Sequence, residues 1–331
     1  MNKLNQILIG VLVIQIALAA FTLWPQSAAQ ETGGPLLPDF TAGDLVELII
    51  QDGDENRLVL GQHDNEWVLP EAGDFPVDGE KISPLLEKLK GIQTNRLVTQ
   101  TEGSHKRLKV AGDDFNHLLE IELKDGNSHQ LYLGSSAGAG ATHVRFDGQP
   151  EVYLTDQLTS FDVNAQASAW IDPLYYTVPQ TATVALTLEN GNGTFEFEKD
   201  GENWTMKGLS ADETFNAGAF TGLLNQATSV RMTAPIGKEE QPAFGLDEPL
   251  ATVTLKTQEG EETKTYTLRV GAKSDEDNSY IVSSSESPYF VRVAEFTGSS
   301  FVEKTRADFL EQPPAGTSET EEVIPDPAES E

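Results

Sequence analysis

The sequence predicts an α+β fold of two tandem homologous repeats, each a mostly antiparallel sheet with one main helix, after an N-terminal transmembrane helix. Residues 45–172 and 182–310 align with each other at a nearly constant offset of about 137 positions. In each half, short apolar segments alternate with Gly, Asp and Asn turns, and one segment has helical spacing. We therefore place repeat 1 at residues 41–176 and repeat 2 at residues 177–310.

Residues 6–24 are predicted to be the transmembrane helix, because none of these positions carries a charge. A helix of that length spans about 28 Å, close to the hydrocarbon core of a bilayer. Lys3 precedes the segment, so residues 1–5 should be cytoplasmic. The bulk of the chain should then lie on the extracytoplasmic, periplasmic side of the cytoplasmic (inner) membrane as a single-pass protein. The small residues at 27–29 leave a cleaved signal peptide as the alternative, and either interpretation exports the bulk.

Residues 25–40 contain Gly and Pro and are predicted to be a flexible linker. Repeat 1 then begins with three strands in a meander, whose turns are marked by Asp52-Gly53 and Asp64-Asn65. The third of these strands contains Trp67, which corresponds to Trp204 in repeat 2. These short strands favour an antiparallel sheet.

A helix is predicted over residues 78–90, where Asp78 can cap the first turn. Its apolar positions recur at helical spacing, and its counterpart in repeat 2 spans residues 216–227. Further strands follow in each half, including a Leu-Gly or Val-Gly pair at Gly134 and Gly271. A sheet packed against one main helix is the α+β arrangement named above.

The composition is typical of a folded protein, and the chain of 331 residues is strongly acidic, with a net charge of −31. Such a surface repels nucleic acid, so we expect no nucleic-acid partner. The absence of cysteine excludes disulfides, thiol catalysis and cysteine-bound zinc. Residues 311–331 hold seven acids, four prolines and no base, which predicts a disordered acidic tail.

Two acidic segments resemble metal-binding loops only superficially. Residues 52–56 begin like a calcium loop, but Arg57 and His63 stand where that loop needs Gly and Glu. A hairpin turn is therefore favoured there, and a solvated loop at residues 275–278. The five histidines all lie in repeat 1, without HxH or HExxH spacing, although His117 and His129 begin strands that should pair and so could approach each other. The histidines are His63, His105, His117, His129 and His143.

Serine and glycine segments give no sign of catalysis. Residues 135–140 are rich in glycine after a strand, but they lack the phosphate-loop lysine and lead into another strand. No GxSxG elbow surrounds the serines at 135–136 or 283–285. Recurring aromatic residues such as Tyr153 and Phe290 are best explained by core packing. We predict no catalytic, cofactor-binding or metal-binding residues, no cofactor, and a protein that is not an enzyme.

Arg96 and Arg231 follow the two predicted helices, and a turn of Phe244-Gly245-Leu246 with Pro249 precedes a strand of repeat 2. In repeat 1, Lys109 and the residues after it stand where that turn would be. With the duplicated strand–helix pattern, these features make residues 40–310 resemble the domain-of-unknown-function 4340 family. Relatives tend to be exported, anchored, and associated with ABC-type transport components that resemble the gliding-motility auxiliary subunit.

This resemblance implies a non-enzymatic, membrane-anchored accessory or scaffold protein of an ABC-type transport complex, with transporter subunits as partners. The alternative is a periplasmic or surface module that binds a ligand or polymer in the cleft between the repeats. An enzyme is the least favoured hypothesis.

Overall fold

The computed structural model describes residues 33–37 and 42–311. Of these, 44% lie in strands and 22% in helices. The strands are β1 (Leu45–Asp52), β2 (Arg57–His63), β3 (Glu66–Leu69), β4 (Phe75–Pro76), β5 (Leu97–Thr99), β6 (Val110–Ala111), β7 (Asp114–Phe115), β8 (His117–Leu123), β9 (Ser128–Gly138), β10 (Ala141–Phe146), β11 (Val152–Thr155), β12 (Leu174–Thr177), β13 (Thr183–Asn190), β14 (Gly193–Asp200), β15 (Asn203–Met206), β16 (Ser229–Arg231), β17 (Ala234–Gly237), β18 (Ala251–Glu259), β19 (Glu262–Lys273), β20 (Tyr280–Ser284) and β21 (Phe290–Val293). The α-helices are α1 (Gly79–Gly91), α2 (His105–Leu108), α3 (Ala217–Thr228) and α4 (Glu295–Val302).

The chain forms two compact units. Among the described residues, unit 1 comprises those up to Trp67 together with Asp78–Ala169, and unit 2 comprises Val68–Val77 together with those from Trp170 onward. The repeat boundary proposed at 176/177 stays a prediction.

Two large antiparallel sheets dominate the fold. The first has the strand order β4-β3-β2-β1-β8-β9-β10-β11-β5, and the second has the order β15-β14-β13-β18-β19-β20-β21-β17. The two orders coincide strand for strand when β3 is matched with β15, and β4 is an addition at one end of the first sheet. A register shift also recurs at the same place, between Leu45 and Glu47 in β1 and between Thr183 and Ala185 in β13. The two sheets therefore share one topology.

The predicted α+β class, with one main helix in each repeat, is wrong. Strand outweighs helix, the sheets contain nine and eight strands, and each unit carries two α-helices among its described residues. The physical reason is that each tight turn adds another antiparallel strand to the sheet. Each sheet therefore becomes wider than a single helix can cover.

The helix α1 packs one apolar stripe against its unit. Asp78 accepts a hydrogen bond from the Glu80 backbone N–H at 2.9 Å, as the predicted cap requires. The buried positions along α1 are Ile82, Leu85, Leu86 and Leu89. This stripe lies in the core of unit 1 together with buried strand residues such as Leu48 and Leu119.

Aromatic side chains fill much of the core of unit 2. The ring of Phe197 lies 4.6 Å from Phe220 on α3 and 4.9 Å from Phe309, centroid to centroid. Trp204 on β15 lies 4.7 Å from the same Phe220 ring. Burial of such rings stabilises the core of unit 2.

No helix in the described part of the chain is long and apolar enough to span a membrane. The predicted span at residues 6–24, the cytoplasmic residues 1–5, most of the linker at 25–40 and the tail beyond residue 311 lie outside the described residues. A single-pass anchor, and the inner-membrane location inferred from it, are therefore not supported by the structure.

Candidate functional site

The acidic segment at residues 52–56 forms the turn between β1 and β2, as predicted. The Asp52 carboxylate accepts hydrogen bonds from the backbone N–H groups of Asp54 and Asn56, each at 3.0 Å, and from Asn56 Nδ2 at 2.8 Å. Partial burial raises the pKa of Asp52, but these hydrogen bonds outweigh it and hold the pKa below its ordinary value. The carboxylate is thus occupied in shaping the turn.

The second acidic segment has the same character. Asp277 Oδ1 accepts from the Ser279 hydroxyl at 2.7 Å and from the Ser279 backbone N–H at 3.1 Å. These hydrogen bonds lower the pKa of Asp277 to about 2. No group of three or more His, Asp or Glu side chains is placed to hold a metal ion within residues 33–37 and 42–311.

His117 and His129 do not approach each other. Their strands β8 and β9 pair, but the antiparallel register sets His117 opposite Leu133 and His129 opposite Ile121. Strand starts lie at opposite ends of an antiparallel pair, so the approach of these two histidines that the sequence left open does not occur. His117 instead lies opposite Asp52 across β1 and β8. Burial lowers the pKa of His117, and the nearby Asp52 carboxylate, which favours the protonated ring, offsets this effect only in part.

A serine–histidine pair occurs in unit 1, but its hydrogen bonds argue against catalysis. His143 Nδ1 lies 2.7 Å from the Ser135 carbonyl oxygen and 3.2 Å from Ser135 Oγ. A carbonyl oxygen can only accept, so Nδ1 carries the proton in the stronger contact and cannot serve as a base for the hydroxyl. Ser135 Oγ also lies 3.3 Å from the Leu108 carbonyl oxygen.

The turn at Phe244-Gly245-Leu246 is a structural corner, and unit 1 has its equivalent. Gly245 has φ +63° after the 3-10 helix Pro242–Phe244, and Lys109 has φ +59° after α2. Phe244 and Leu246 belong to one buried cluster in unit 2, and the residues flanking Lys109 belong to a matching cluster in unit 1. The clusters are Phe244, Leu246, Ile281 and Phe290 in unit 2, and Leu108, Val110, Leu118, Tyr132 and Val152 in unit 1.

Two arginines reach the equivalent carbonyl of this corner from different strands. Arg145 on β10 donates from Nε to the Val110 carbonyl at 2.7 Å, and its guanidinium lies 4.3 Å from the Tyr132 ring centroid. In unit 2, Arg269 on β19 donates from Nη1 to the Leu246 carbonyl at 3.2 Å. These buried or partly buried charges therefore satisfy backbone carbonyls and hold the corner to the sheet.

The exposed apolar residues provide a different kind of candidate site. Phe161 is 96% exposed in unit 1, and Phe296 on α4 is 76% exposed in unit 2. Leu97 and Val98 on the terminal strand β5 are 51% and 40% exposed. Large apolar side chains at a sheet edge are a common feature of protein–protein contacts.

An open groove lies on unit 2 between α3, α4 and the turn that follows α4. Its volume is about 420 Å³, and its lining mixes the Phe296 ring with polar groups from Gln226, Ser299 and Lys304. Neither this groove nor the β5 edge was predicted from the sequence. The Leu97-Val98-Thr99 run after the helix was the available signal for the edge, because β-branched residues favour strands.

The comparisons with known proteins give one match. A family model described as a domain of unknown function (DUF4340) matches residues 67–243, just over half of the chain. No curated protein matches the sequence, and no solved structure matches it.

Proposed function

We propose, given that this chain belongs to the family of the domain of unknown function (DUF4340), that it is a non-enzymatic accessory or scaffold protein of an ABC-type transport complex. One contrast supports this proposal. The polar side chains that could take part in catalysis already have hydrogen-bond partners: Asp52 and Asp277 accept hydrogen bonds within their own turns, and the Ser135 hydroxyl donates to the Leu108 carbonyl oxygen. Large apolar side chains, by contrast, stand exposed at Phe161 and Leu97.

A scaffold protein needs rigid surfaces and not reactive groups. Extensive antiparallel pairing makes each unit stiff, and exposed apolar side chains on a stiff frame bind partners at a low cost in conformational entropy. The net charge of −31 opposes self-association of the chain and attracts the basic surfaces of partner proteins.

The experiment is affinity purification of the tagged full chain from cells after mild crosslinking. We expect the ATPase or permease subunits of a transporter to co-purify at a constant ratio. A chain that is recovered alone, although crosslinks form elsewhere in the same cells, contradicts the proposal.

A second candidate function is ligand or polymer binding, and the groove on unit 2 favours it. An exposed aromatic ring beside hydroxyl, amide and ammonium groups is suited to a sugar-like or peptide-like ligand. A thermal-shift screen with cell-wall fragments and sugars should raise the melting temperature of the wild type if this is correct. The Phe296→Ala variant should lose that shift, and Phe161→Ala, which removes an exposed ring in unit 1, should keep it.

A further inference from the structure

The outer edge of β5 has no neighbouring strand among the described residues. This strand ends the order of the first sheet and pairs only with β11, through Leu97 opposite Tyr153 and Thr99 opposite Val152. A terminal strand presents unpaired backbone groups that can accept another chain segment. On β5 the exposed side chains of Leu97 and Val98 lie next to these backbone groups.

The corresponding edge of the second sheet is covered. Strand β17 occupies the place of β5 in the strand order, and residues 68–77 of unit 2 lie against it. A Cβ added at Gly73, which has φ +67°, would lie 3.1 Å from the Lys238 backbone nitrogen, so the two backbones are in close contact. This covering segment shows what kind of structure fits such an edge, namely a short turn that ends in an aromatic residue.

The covering turn is held by an aromatic and hydrogen-bonded contact. Phe75 lies 4.7 Å from the Tyr289 ring in an edge-to-face arrangement, and the Tyr289 hydroxyl donates to the Asp74 carbonyl at 2.7 Å. Lys238 Nζ lies 4.9 Å from the centroid of the same Tyr289 ring. Tyr289 directly precedes β21, and Lys238 directly follows β17.

Unit 1 has different chemistry at the same two positions. Glu151 directly precedes β11, and Gln100 directly follows β5. Gln100 Nε2 donates weakly to Glu151 Oε1 at 3.5 Å. The covered edge thus carries a cation and an aromatic ring, whereas the open edge carries a carboxylate and an amide beside exposed Leu97 and Val98.

We propose that the β5 edge binds a turn or extended segment of a partner protein that carries a basic side chain next to an apolar one. Because successive side chains of a strand point to opposite faces of the sheet, the apolar residue covers Leu97 and the basic residue next to it pairs with Glu151 on the other face. The net charge of −31 disfavours a second copy of this chain as the occupant and favours a basic partner. This inference rests on the proposed scaffold function and names the chemistry of its partner.

The test uses two synthetic ten-residue peptides and the full chain. The acidic probe has the sequence of residues 68–77, and the basic probe is the same peptide with Glu71→Lys and Asp74→Lys. We expect the basic probe to bind the full chain about tenfold more tightly than the acidic probe in a fluorescence anisotropy titration at low salt.

Three variants locate the binding. Leu97→Asp should weaken the basic probe about tenfold or more, while Leu250→Asp, a matched change at another exposed leucine, should leave it unchanged. Glu151→Lys should weaken binding of the basic probe and reduce its preference over the acidic probe, because it replaces the pairing carboxylate with a like charge. A melting curve for each variant verifies folding, and Glu151→Lys keeps the test available if Leu97→Asp does not fold.

Failure of the basic probe to bind, or equal binding to wild type and Glu151→Lys, overturns the inference. The scaffold proposal is judged separately by co-purification of transporter subunits with the Leu97→Asp variant. If those subunits are recovered undiminished, this edge is not the docking site, although the scaffold function stands. If the probes behave as expected but no subunit is recovered from wild type, the edge binds a basic segment and the scaffold function fails.

Discussion

Single glycines set how closely the corner of each unit can approach its sheet. A Cβ at Gly271 would lie 2.1 Å from the Phe244 carbonyl oxygen, and a Cβ at Gly134 would lie 2.1 Å from the Leu108 carbonyl oxygen. Neither contact is possible without moving backbone. The repeated Leu-Gly and Val-Gly pairs in the sequence are therefore explained by a steric requirement.

We predict that Gly271→Ala destabilises the protein by about 1–3 kcal/mol, because the added methyl group forces the corner away from β19. Gly222→Ala is the control, since Gly222 lies inside α3 with open space around it. That substitution should stabilise by about 0.5–1 kcal/mol through helix propensity. Urea unfolding followed by circular dichroism measures both, and equal effects of the two variants would contradict the steric explanation.

The ion pair between Glu213 and Arg306 makes stability depend on pH at the acidic end. Hydrogen bonds from Arg306 and from the Ser210 backbone lower the pKa of Glu213 from 4.5 to about 2. Because the folded-state pKa is the lower one, this contribution is complete above about pH 4.5 and is lost as the pH falls toward 2.

Glu213→Gln should therefore be less stable than wild type at pH 6, and the difference should shrink as the pH falls from 4.5 to 2. Glu202→Gln, at an exposed turn between β14 and β15, corrects for the loss of one negative charge. Melting temperatures across this pH range provide the measurement. Parallel curves for wild type and Glu213→Gln would show that the ion pair does not form in solution.

At the scale of secondary-structure elements, each unit holds the corner at Lys109 or Gly245 to its sheet with an arginine, but the two arginines lie on different strands. Arg145 is nearly fully buried, whereas the side chain of Arg269 is 40% exposed. A buried charged hydrogen bond contributes more than an exposed one, because loss of the donor leaves a buried carbonyl without its partner.

Arg145→Met should thus lower the free energy of unfolding by about 2–3 kcal/mol, since it removes both the hydrogen bond to Val110 and the contact with the Tyr132 ring. Arg269→Met, its matched counterpart, should cost less than about 1 kcal/mol. Chemical denaturation of the two variants compares them directly. A larger loss for Arg269→Met would contradict the assignment of the corner contacts.

Local elements could be predicted from the sequence wherever the signal is local. The turn at Asp52, the cap at Asp78 and the helical stripe of α1 all depend on residues within a few positions of one another. The opposite placement of His117 and His129 depends on strand direction, which local spacing does not encode. Strand β5 was missed because its pairing with β11 joins residues more than 50 positions apart.

At the scale of the whole molecule, the sequence duplication corresponds to two sheets of the same strand order. What could not be predicted is how large those sheets are, because pairings such as β1 with β8 are long-range and are decided by tertiary packing. The β5 edge could not be predicted from the sequence either. Exposure of Leu97 and Val98 follows from which strand ends the sheet, and only the assembled fold determines that.

The proposed scaffold function is a property of the whole molecule, since it depends on rigid units, a strong negative charge and exposed apolar residues together. The most direct test is quantitative co-purification of the crosslinked full chain, with wild type compared against Leu250→Asp as a control for surface change. We predict that transporter subunits are recovered at the same stoichiometry with both proteins. Recovery of the wild-type chain without any transporter subunit would contradict it.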